Sequence, residues 1–280
     1  MNREKINRTG NNAYRRCCRK CFAVLVFLAL SACTPPRGAA QFIQYTEAFS
    51  ASRQASEALF DLVEVAERDQ ARLAYNAELA EFDPSRPYLY SDLAAPPLAS
   101  EYRTSFNVIS RYNQLMVALI TGESAGVLLT QVTELETSAL AIAATATSTA
   151  RLQGLASVME VISVVARDAV AVRDRRVVAA ELAQSADAVM RLMRTMRLGA
   201  PDIYNLLRAT AGSDNDSTRR RLVADWIVLM DRNIEALQAA VIASENTSRA
   251  STEFQSLQAR MTELQNAADS IKASLAELAK

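Results

Sequence analysis

The sequence predicts an all-α protein, an elongated bundle of long antiparallel helices with coiled-coil-like heptad packing. Three observations predict it. Glycine and proline are scarce, seven of each in 280 residues, and they cluster instead of interrupting the stretches between. Those stretches are rich in Ala, Leu, Glu, Gln and Arg, the strong helix formers. Apolar residues recur at 3-4 spacing over many turns, and no alternating β-branched strand of useful length interrupts them.

Breaks are expected at Pro84 to Pro97, Gly122 to Gly126, Gly199 to Pro201 and Gly212 to Ser217. The first long helix should cover Gln41 to Phe82. Its positions Phe42, Tyr45, Phe49, Ser52, Ser56, Leu59, Val63, Ala66, Gln70, Leu73 and Ala77 keep the heptad spacing, diluted by the two serines and Gln70. Phe60, Leu62 and Val65 widen the stripe, which argues for several neighbours rather than a two-stranded coil. The segment Asp83 to Pro97 is an aromatic-bearing connector. Tyr88, Leu89 and Tyr90 either strap the bundle or form a contact patch, and the strap is favoured because most surface loops pack on their own domain.

Thr137 to Ala150 carries no charge and little bulk, as in a helix buried on most sides. A membrane span is disfavoured there by its Thr and Ser hydroxyls and by Arg151. A further stripe runs through Val178, Leu182, Ser185, Val189, Leu192 and Met196, stopped by Gly199 and Pro201. The last helical region starts near Ser217 and carries Leu222, Trp226, Leu229 and Leu237. It continues through Phe254, Leu257, Met261, Leu264, Ala268, Ile271, Leu275 and Leu278. Unbroken, it would reach roughly 90 Å at the helical rise; the polar stretch Ser244 to Ser251 offers a place to bend.

The first 33 residues read differently. A basic stretch from Arg3 to Lys20 precedes an apolar run from Cys21, which ends in Leu30-Ser31-Ala32-Cys33. Cationic head, short apolar middle and small residues before the cut make a secretory signal. A spanning helix needs about 20 apolar residues, and Thr34, Pro35, Pro36 and Arg37 end this run too soon for an uncleaved anchor. Arg15-Arg16 hints at twin-arginine export, but Cys17-Cys18 replaces the expected continuation, which favours the general secretory route. Leu30-Ser31-Ala32-Cys33 resembles the lipobox of bacterial lipoproteins. The resemblance implies cleavage after Ala32, acyl chains including palmitate on Cys33, and a membrane-held protein. Thr34 in place of Asp implies, by the enterobacterial sorting pattern, the outer membrane facing the periplasm, with the inner membrane or the cell surface as alternatives. The expected organisation is a cleaved signal at 1–32, a lipidated cysteine and tether at 33–40, and one helical domain at 41–280.

Composition narrows the chemistry. No histidine is present, which removes Ser-His-Asp and Cys-His nucleophiles and imidazole metal sites. Cys17, Cys18 and Cys21 leave with the signal, so no thiol remains beyond Cys33. Seven of the 31 basic and one of the 31 acidic residues lie in 1–32; the remainder carries 24 basic and 30 acidic residues, a net charge of −6. That balance discourages nucleic acid or anionic membrane as partners. Arg173, Arg175 and Arg176, and again Arg219, Arg220 and Arg221, are candidate anion-binding clusters, since guanidinium grips carboxylate or phosphate in pairs. The ordinary alternative is ion pairing with neighbouring acids. Met190, Met193 and Met196 offer soft thioethers for Cu(I), opposed by Arg191, Arg194 and Arg197 beside them; core packing is the simpler reading. Glu64, Glu67 and Asp69 read as water-facing acids with no catalytic pairing.

These readings converge on a non-enzymatic envelope scaffold, without a cofactor, that binds a protein partner. A ligand-binding or sensing bundle in the periplasm is the alternative, because bundle cores host ligands between facing helices. An enzyme relying on carboxylates alone is the remaining class. Replacing Cys33 by Ala is expected to leave an uncleaved precursor. Unchanged gel mobility and unchanged membrane fractionation of that variant would reject lipidation.

Overall fold

Helix-forming composition and heptad stripes dictate helices that must bury one face each, and the computed structural model shows how they do so. It describes residues 39–75, 81–121, 186–210, 215–245 and 250–279, with single positions between 123 and 160. Among the described residues, six helices with full bounds span Ala39–Tyr75 (α1), Pro97–Thr121 (α2), Ala186–Leu198 (α3), Ala200–Ala209 (α4), Asp216–Glu245 (α5) and Ala250–Leu278 (α6). A single 3-10 turn, Pro87–Leu89, sits in the α1–α2 connector. Among the described residues there is no strand. No helix among them is long and apolar enough to cross a membrane.

α1 is the hub, packing against α2, α4, α5 and α6. Its stripe from Phe42 to Ala66 is buried as the heptad spacing requires, including Ser52 and Ser56, both fully inaccessible. The dilution of the stripe thus marks polar groups inside the core. Asn233 of α5 donates its amide to Ser52 Oγ at 2.5 Å and to the Leu229 carbonyl at 2.9 Å, which pairs Ser52 and Asn233 across the core. The stripe ends earlier than the spacing suggests. Gln70 is exposed and Leu73 is 77% exposed. α1 is described as far as Tyr75 and residues 81–86 are non-helical, so the helix does not reach Phe82; Ala77 lies outside the described residues.

The rings of α1 and α2 interleave. Phe49 stacks on Phe106 at 5.8 Å, and Phe60 stacks on Tyr102 at 5.3 Å. Trp226 of α5 meets Phe60 at 6.2 Å and Tyr102 at 5.5 Å, edge to face in both cases. Tyr102 also donates to the Met196 carbonyl at 3.2 Å, which ties α3 to the same point.

The terminal region does not run on as one long helix. α5 ends at Glu245 and α6 begins at Ala250. Arg232 pairs with Glu263 at 3.2 Å, and Arg260 pairs with Glu235 at 2.8 Å. Ser270 and Ser274 donate to Asp225 at 2.9 and 3.0 Å, and Arg221 pairs with Glu277. Partner numbers fall along α6 as they rise along α5, so α6 packs beside α5 instead of extending beyond it. The physical reason is burial: Leu229, Leu237, Leu257, Leu264 and Ile271 could not all leave water on one straight rod. Gly199 also departs from expectation. Its φ of −81° is not left-handed, and Pro201 opens α4 instead of only stopping α3. Of the third stripe, Val189, Leu192 and Met196 are buried, while Val178, Leu182 and Ser185 lie outside the described residues.

Leu264 is fully buried on α6. Leu264→Asp is expected to cost at least about 3 kcal/mol, through the cavity it opens and the unpaired carboxylate it buries. Denaturant unfolding of the form lacking residues 1–33 measures it; an unchanged midpoint would show that α6 contributes nothing to the core.

Candidate functional site

The densest polar construction among the described residues lies where α1, the connector and α2 meet. Pro97 opens α2, where a missing N–H is harmless, but the amides of the following residues still need acceptors. α1 supplies one. The Glu67 carboxylate accepts from Leu98 N at 2.9 Å and Ala99 N at 3.1 Å, capping α2 from another helix. Burial raises the Glu67 pKa; the two amides oppose this, while Glu101 and Glu64 add to it.

One helical turn on, Arg103 of α2 reaches three acids of α1. It bonds Glu57 at 3.2 Å and Asp61 at 2.6 Å, and it also pairs with Glu64. The i, i+4 or i+7 spacing of Glu57, Asp61 and Glu64 puts all three on one face. Burial by itself would raise the Glu64 pKa, but hydrogen bonds and charge from Arg103, then from Arg68, outweigh it and hold Glu64 below the usual glutamate range.

Arg68, almost wholly buried, extends the network to the connector. It bonds Glu64 at 2.9 Å, Asp92 at 3.4 Å, and the carbonyls of Asp92 and Ala94 at 3.4 and 3.3 Å. Arg72 Nε donates to the Leu89 carbonyl at 3.0 Å, and Tyr75 donates to the Glu81 carbonyl at 2.6 Å. The Asp83 carboxylate accepts from both the backbone N–H and the hydroxyl of Ser85, and the Asp83 N–H donates to the Tyr90 hydroxyl. The connector is therefore a strap: Leu89 is buried and its backbone is held at several points. The strap also carries apolar side chains outward. Leu93 is 99% exposed, Phe82 is 68% exposed, and the Phe82 and Tyr90 rings pack on each other at 4.8 Å.

The residues singled out in the sequence have various fates. Leu30, Ser31, Ala32, Cys33, Arg173, Arg175 and Arg176 lie outside the described residues. Arg219, Arg220 and Arg221 follow one another on α5 and so point about 100° apart. Arg220 pairs with Asp216 at 2.8 Å, donates to the Tyr204 hydroxyl at 2.9 Å and lies over that ring at 5.8 Å. Arg221 donates to Ser274 at 3.2 Å and pairs with Glu277 on α6. The two guanidinium groups hold separate side-chain partners. Met190, Met193 and Met196 are all buried core side chains on α3. Among the described residues, no group of three or more acidic, Cys or His side chains is placed to hold a metal ion.

Glu64 and Glu67, read from the sequence as ordinary solvated acids, are instead central to the strap. The one signal in the sequence is the Pro96-Pro97 pair. A helix beginning there exposes amides that a nearby carboxylate can satisfy, but nothing in the spacing says which one. A separate open cleft of about 470 Å3 is lined by Arg111, Thr130, Thr133, Glu134 and Thr137, with Arg111 and Glu134 paired at 2.7 Å. Thr137 begins the Thr/Ala-rich stretch whose remainder lies outside the described residues. No protein-family model, curated protein or solved structure matches this chain.

Arg103→Ala leaves Glu57, Asp61 and Glu64 facing one another without their shared cation. The expected loss of stability is about 2 kcal/mol at neutral pH, the scale of a charge-assisted hydrogen bond in a half-buried place. Because Glu64 is held below its unfolded pKa, its contribution is present above the ordinary glutamate range and fades as pH falls through the lower folded value. The stability gap between the parent and Arg103→Ala should therefore shrink below about pH 4. A gap constant from pH 7 to 3 would show that the network contributes no electrostatic stability.

Proposed function

We propose that this chain is a lipid-anchored protein of the bacterial cell envelope that works without catalysis, as a helical scaffold binding a protein partner. The single observation that carries the reading is Leu30-Ser31-Ala32-Cys33 behind a basic head and a short apolar run. Acylation of Cys33 by two or more chains makes membrane attachment stable. The proposed location is the periplasmic face of the outer membrane. α1 starts at Ala39, so a tether of Thr34 to Gly38 is no more than about 20 Å long when extended. In this reading the helices pack antiparallel with heptad contacts. The order of the α5–α6 pairs and of Glu67–Leu98, Phe60–Tyr102 and Phe49–Phe106 supports that arrangement.

The partner surface proposed is the strap between α1 and α2. Exposed Phe82, Tyr90 and Leu93 ride on a backbone pinned by Arg68, Arg72 and Tyr75, so docking there would order little chain. A photoreactive residue at Leu93 or Phe82 is expected to crosslink one envelope protein in cells, whereas the same residue at exposed Gln258 on α6 is not. Equal yields at the strap and at Gln258 would overturn the assignment. The second reading, a ligand-binding bundle, is favoured by the cleft at Arg111 and the threonines. Its mark would be a small molecule retained by the purified soluble form and released by Arg111→Ala.

A further inference from the structure

We draw no further inference here: the strongest candidate, the set of exposed apolar side chains Leu73, Phe82, Tyr90 and Leu93 on and beside the α1–α2 connector, belongs to the surface already described, and nothing in the structure shows what covers it.

Discussion

The meeting of Phe60, Tyr102 and Trp226 is the contact on which the rest of the fold depends. Each ring comes from a different helix, α1, α2 and α5, and all three are fully buried. Such ring pairs add about 0.5–1.5 kcal/mol beyond the burial of their area. The Tyr102 hydroxyl then donates to the Met196 carbonyl, bringing in α3 without leaving that polar atom stranded. α6 lays Leu257, Leu264 and Ile271 into the same core. Displacing any of the three rings would disturb several helix pairs at once.

Around that apolar centre, some of the buried polar groups are paired with one another. Ser52 and Asn233 pair between α1 and α5, in a position that a purely apolar pair could also have filled. A buried polar pair of this kind disfavours alternative registers, because sliding one helix would separate the two groups. The ionic network of Arg68 and Arg103 acts further along the same helix. Partly buried charges cost desolvation energy, and each guanidinium here offsets that cost with several acceptors instead of one. The connector is held by these side chains and not by regular secondary structure.

This division of labour bears on the proposed partner surface. A loop pinned by Arg68, Arg72 and Tyr75 presents its outward side chains in one arrangement, which is what a recognition surface needs. Arg220 and Arg221, which suggest an anion site by their adjacency, fasten α5 to Tyr204, Asp216 and α6. The methionines whose spacing suggests copper fill the core beside Leu192. In each case a side chain that suggests chemistry when read alone has a structural partner nearby.

The sequence by itself determined the helices and their buried faces. Scarce, clustered glycine and proline mark the breaks near Thr121, Leu198 and Ala209, and the 3-4 stripes name Phe42, Phe49, Leu59, Leu192, Leu264 and Ile271 as core. Helical periodicity can do this because it depends only on neighbours within a few turns. Tertiary structure alone decided that α1 stops short of Phe82, that Gln70 and Leu73 of its stripe are uncovered, and that α6 packs along α5. It alone turned Glu64 and Glu67 from solvated acids into the grip on α2. A periodic pattern says that a face must be covered, or that an amide needs an acceptor. Which residue covers or accepts depends on distances across the fold, between positions far apart in the chain, and no local spacing encodes them.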